Sequence, residues 1–127
     1  MIRVLACLML LSGAALAQDQ EIVIKVEDGL IAEGGAVLRG LDRINGQTTD
    51  LEIAPGQSVD YARLKISLDV CKYPEGKEQV EAFAYLTVHD VRDADIAVFD
   101  GWMFASSPAL SALDHPRYDV WVLRCKI

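Results

Sequence analysis

The chain has 127 residues, with 12 basic and 19 acidic side chains and a formal net charge of −7. That length suits one domain built around one core. The acidic balance argues against nucleic acid or anionic lipid as partners, because both require a basic surface; it favours solubility and, weakly, basic partners or cations.

Met1–Ala17 has the pattern of a secretory leader. Arg3 is a short positive flank, Val4–Leu11 an apolar core, and Ala15-Leu16-Ala17 a small-x-small cleavage site before Gln18. The apolar run is too short to span a bilayer. Val4-Leu5-Ala6-Cys7 resembles a lipidation box, but only three residues precede it, so ordinary cleavage after Ala17 fits better. Cys7 and Arg3 leave with the leader. The mature chain is then more acidic by one charge and is expected in the periplasm.

Gln18–Gly35 is acidic; Ile22, Ile24 and Val26 alternate with their neighbours, which fits either a strand or a mobile lead-in to a domain spanning residues 36–127. From there the reading is β. Ala36–Ile44 and Gln47–Ile53 are strands around Asn45-Gly46, a dipeptide suited to a type I′ turn. Pro55-Gly56 makes the next turn and Ser58–Tyr61 a short strand. Leu64, Ile66, Leu68 and Val70 alternate with Lys65, Ser67, Asp69 and Cys71, which puts Cys71 on the face opposite the aliphatic row.

Tyr73–Gln79 reads as a loop, Ala82–His89 as a strand, Asp90–Asp95 as an acidic loop and Ile96–Phe104 as a strand. Ser106–Leu113 is predicted as a short helix, capped by Ser106 or Ser107, with Pro108 in its first turn and Leu110 and Leu113 on one face. His115-Pro116 ends it. Tyr118–Cys125 closes the chain; Trp121 and Leu123 share a face with Cys125, Val120 and Val122 take the other, and apolar residues on both faces predict a central strand. The expected fold is mainly β: a small antiparallel sandwich or partly open barrel with one short helix.

Cys71 and Cys125 are the thiols left after cleavage, and in an oxidising compartment their default is one disulfide. Its chain-entropy contribution for a loop of about 55 residues is about 4 kcal/mol. A C-x-x-C redox pair and a four-ligand zinc pattern are both missing from the sequence. No haem, phosphate-loop or dinucleotide motif is present, so no cofactor is expected.

Three side-chain groups invite chemistry. Ser106 or Ser107 with His115 and Asp114 or Asp119 suggests a hydrolase, but Ser106-Ser107-Pro108 lacks a glycine-framed elbow, and helix capping is the plainer role. His89, Asp90, Asp93 and Asp95 suggest a cation loop, but the ligand order of a calcium site is missing, and a solvated acidic turn is the plainer reading. Trp102, Phe104, Tyr118 and Trp121 would form a recognition platform if exposed and a core around the disulfide if buried. Core is favoured for Trp121; Trp102 stays open. Trp102, Phe104, Ser106, Ser107, His115 and Tyr118 are the candidate binding residues.

The run Phe99-Asp100-Gly101-Trp102-Met103-Phe104-Ala105-Ser106-Ser107-Pro108-Ala109-Leu110 continues through Ser111–Pro116 to Tyr118–Leu123 and Cys125. Together with Gly40-Leu41-Asp42, Thr48 and the Leu64–Cys71 strand, it resembles an exported bacterial family defined as domain of unknown function 2155. The resemblance covers Val37–Cys125 and implies a small Gram-negative envelope protein with no established activity. One departure is the loop after Cys71, which is short and carries the single Pro74, where family members often have a longer proline-rich stretch. The expectation is therefore a monomeric, non-catalytic periplasmic domain that binds a partner protein or cell-wall component, without stable membrane insertion. The alternatives are a hydrolase using Ser106 or Ser107 with His115, and an assembly factor for an envelope or respiratory complex.

Overall fold

A computed structural model describes residues 26–127; the predicted leader and the alternating segment up to residue 25 lie outside the described residues. Eight strands follow in chain order: β1 (Leu30–Ile31), β2 (Gly35–Asp42), β3 (Thr48–Ile53), β4 (Ser58–Tyr61), β5 (Leu64–Tyr73), β6 (Phe83–Asp90), β7 (Asp93–Phe104) and β8 (Tyr118–Lys126). They form two antiparallel sheets. In the larger, β1, β5, β6 and β7 run side by side, and β4 shares the β1 edge of β5; in the smaller, the order is β3-β2-β8. The sheets do not close on each other, so the fold is an open sandwich. Packing begins before residue 36: Ala32 is buried and donates its N–H to the Cys71 carbonyl at 2.8 Å.

The core lies between the sheets. Leu64, Ile66, Leu68, Leu86, Val88 and Met103 from the larger sheet meet Leu38, Ile53, Val120 and Val122 from the smaller. Cys71 and Cys125 join them, bonded to each other with their Cα atoms 5.7 Å apart. Strict alternation predicted Cys71 on the outer face, and it also put Cys125 opposite Val120 and Val122. Two bulges overturn both expectations. In β5, Leu68 opposes Leu86 and Val70 opposes Tyr85, so Asp69 is an extra residue; in β8, Arg124 opposes Val37 and Val122 opposes Leu38, so Leu123 is extra. Each extra residue flips the downstream side chains to the other face. Both cysteines thereby turn inward.

Other expectations are corrected by local hydrogen bonds. The Asn45-Gly46 turn is not type I′: among its residues only Gly46 has a positive φ. Asp42 ends β2 two residues early, because its carboxylate accepts the Ile44 N–H and its carbonyl the Gly46 N–H. The Pro55-Gly56 turn forms as read, with Gly56 at φ +75° and Gln57 N–H donating to the Ala54 carbonyl. The acidic loop shrinks to a tight turn at Val91-Arg92, where Asp90 accepts the Arg92 N–H, and β7 begins at Asp93.

The predicted helix is one 3₁₀ turn, Pro108–Leu110, which no Ser107 side chain caps. Leu110 is 64% exposed and Leu113 3%, so they share no face. Nor is β8 central: it is an edge strand, and β2 is the middle of its sheet. Trp121 lies outside the core, half-buried in an apolar groove with Pro108, Ala109 and Ala112.

Gly40 sits where the sheets approach closely. A Cβ there would lie 2.6 Å from Tyr61 ring carbons, and Tyr61 is itself held edge-on against Tyr118 with centroids 5.7 Å apart. A Cβ at Gly101 would meet nothing nearer than 3.8 Å. Gly40→Ala should therefore destabilise by about 1–3 kcal/mol, while Gly101→Ala stays within about 0.5 kcal/mol of wild type. Urea unfolding measures both, and equal midpoints for the two variants would contradict this packing.

Candidate functional site

The sequence-predicted residues separate into three places. His115 and Tyr118 lie at one end of the core, 5% and 2% exposed. Their rings stack at 5.2 Å. His115 Nδ1 accepts the N–H groups of Arg117 and Tyr118, both at 3.1 Å, and Nε2 lies 2.9 Å from Asp90 Oδ2. Two donors on Nδ1 leave it unprotonated, so Nε2 carries the hydrogen and donates to Asp90. Both nitrogens are occupied. The Arg63 and Arg117 guanidinium groups cover the Tyr118 ring, and Arg117 also pairs with Asp42 at 3.1 Å. The Arg43 guanidinium donates to the His115 carbonyl at 3.2 Å. These contacts tie the crossover after β7 to β2 and to the β6 turn.

Ser106 lies elsewhere. Its hydroxyl and its N–H both donate to Glu81, not to His115. The serine–histidine pairing that a hydrolase reading needs is not assembled. His89 and Asp90 alternate along β6 and point to opposite faces, and Asp90 is already occupied by Arg92, His115 and Arg63. Among the described residues no cluster of His, Cys, Asp and Glu is arranged to hold a metal ion.

Trp102 and Phe104 lie on the outer face of the larger sheet, and register shows what stands beside them. Tyr85 pairs with Trp102 and Phe83 with Phe104 across β6 and β7, each pair edge to face with centroids 5.3 and 5.7 Å apart. Ser58, Ser67, Thr87 and Asp100 face one another in a row across β4, β5, β6 and β7. The Ser58 and Ser67 hydroxyls are 2.7 Å apart; Asp100 Oδ1 accepts from Tyr85 at 2.8 Å and Thr87 at 3.3 Å. Hydrogen bonding to ionised Asp100 holds the Tyr85 phenol above its usual range. Lys72 Nζ lies 6.0 Å over the Trp102 ring. At the other end of the row, Ser58, Lys65, Ser67, His89, Val91 and Ala94 line a shallow depression of about 340 Å³.

Sequence reasoning named Trp102 and Phe104 but missed Lys65, Lys72, Ser67, Tyr85, Thr87 and Asp100. Alternation in β6 separated Tyr85 from Leu86 and Val88; only cross-strand register brings it to Trp102 and Asp100.

The family described as an uncharacterized protein conserved in bacteria (DUF2155) matches residues 36–125, and the chain belongs to it. An uncharacterized protein of Rickettsia prowazekii (strain Madrid E), RP359, is 25% identical over 87 residues, 67% of this chain and 56% of that protein. The chain thus spans little more than half the length of that relative. No solved structure matches the chain.

The Asp90 carboxyl is held below the usual carboxylate range by the Arg92 N–H, the His115 hydrogen bond and the nearby Arg63 charge. A carboxyl depressed in the folded state stabilises fully above its unfolded value, about pH 4. That contribution is lost as pH falls through the lower folded value. Asp42, held down chiefly by Arg117, acts with the same sign. Asp90→Asn should lower the melting temperature at pH 7 and make its fall below about pH 4 shallower than in wild type. Parallel acid limbs in the two proteins would contradict this role.

Proposed function

We propose that this chain is an exported, non-catalytic binding domain of the bacterial envelope, which recognises a partner protein or cell-envelope component through the outer face of its larger sheet. One observation carries the reading. The sheet packs its inner face on the core, while its outer face keeps the Tyr85–Trp102 pair part-exposed beside Asp100 and Lys72. Part-exposed Trp and Tyr are the side chains that dominate recognition surfaces, offering large rigid contact area at low entropic cost. The leader-like Met1–Ala17 and a sulfur bridge of the kind kept in oxidising compartments support export to the periplasm. The engagement of both His115 nitrogens and the tie between Ser106 and Glu81 speak for binding over acyl chemistry.

Crosslinking from envelope extracts tests the surface. Trp102→Ala should lose the species that wild type recovers, whereas Trp121→Ala, on the other sheet, should keep it. Identical recovery by wild type and Trp102→Ala would overturn the reading.

A further inference from the structure

The outer face also carries information about ligand class. Its centre is polar: the Ser58-Ser67-Thr87-Asp100 row crosses four strands, about 14 Å at the usual strand spacing. The aromatic pair runs alongside it, one row further along β6 and β7. Protein interfaces have the opposite anatomy, an apolar centre with a polar rim. Charge on the face nearly cancels: Lys65 and Lys72 stand among Asp60, Asp69 and Asp100. A polyanion therefore finds no cationic track here.

The Asp100 carboxylate is fixed through Oδ1 by two hydroxyl donors, and among the described residues Oδ2 has no hydrogen-bond partner. It points to a ligand with hydroxyl donors. The Ser58–Ser67 pair shares one hydrogen bond, leaving one hydroxyl hydrogen and further lone pairs for exchange with another hydroxyl. The Trp102 ring beside this row offers an apolar flat surface. Lys72, long and rotamer-rich, stands over that ring and can move aside or donate.

A ligand matching all of these has many hydroxyls, no net charge and apolar C–H faces. We infer that the outer face of the larger sheet binds a neutral saccharide chain, with Trp102 as the stacking platform and Asp100 and the Ser67–Thr87 row as the hydroxyl partners. This rests on the reading of the same face as a binding surface, and it assigns that surface a ligand class.

Titrating ¹⁵N-labelled protein with chitotetraose and with cellotetraose tests it. At least one sugar should give saturable shifts at the amides of Ser67, Thr87, Asp100 and Trp102. Removing one stacking ring should weaken that binding about tenfold, so Trp102→Ala loses it by that factor and Trp121→Ala does not. Failure of both sugars to shift these amides would overturn the saccharide assignment, as would shifts that persist equally in Trp102→Ala. If sugars fail while Trp102→Ala still loses its crosslinked species, the face binds a protein and the broader reading stands. If sugars fail and crosslinking is also unchanged, both are wrong.

Discussion

The bond between Cys71 and Cys125 is the constraint on which the rest of the sandwich depends. It is a covalent link between β5 of one sheet and β8 of the other, and the two sheets otherwise meet through core packing and the polar ties at the sandwich end. Its ends are 54 residues apart, so it removes a large loop from the unfolded ensemble, a contribution of about 4 kcal/mol on the chain-entropy account. For a domain of this size that is a large share of total stability. The bond forms because each strand absorbs one residue as a bulge two positions before its cysteine. Without Asp69 and Leu123 as bulges, pleat alternation would send both sulfurs away from the core.

Stapling the inner faces leaves the outer face of the larger sheet free to differ from the core in chemistry. The inward row of β6, Ala84, Leu86 and Val88, is buried, and the outward row, Tyr85, Thr87 and His89, is part-exposed. A rigid sheet fixes the spacing of these outward groups, so Asp100 meets Tyr85 and Thr87 without help from a mobile loop. Polar ties at the sandwich end serve the same rigidity. His115 accepts two backbone N–H groups and donates to Asp90, which anchors the long crossover between the sheets.

Much of the architecture was legible in the sequence. Period-two patterning located Leu64–Leu68, the Pro55-Gly56 turn marked the start of β4, and two cysteines with an expected export implied their bond. The bulges were not legible, because Leu68-Asp69-Val70-Cys71 alternates without a flaw; an extra residue shows only against the partner strand. The position of β8 was misread for a related reason. Its outward Trp121 meets the Pro108–Ala112 segment, so an edge strand carries the apolar residues of a central one. The helix signal failed because Ser106 bonds to Glu81 and not to the helix start, which leaves only one 3₁₀ turn. Among the site residues the aromatic members stood out by type, whereas Ser67, Thr87 and Asp100 are ordinary surface residues until register aligns them.

Peptide mapping without reductant, on wild type and on a variant with Asp69 deleted, tests the link between bulge and staple most directly. The account predicts a disulfide-linked peptide pair containing Cys71 and Cys125 in wild type. It predicts the same linked pair in the deletion variant, because without the extra residue Leu68, Val70 and Cys71 alternate regularly and keep Cys71 on the inner face. Thiols open to alkylation in the deletion variant would contradict it.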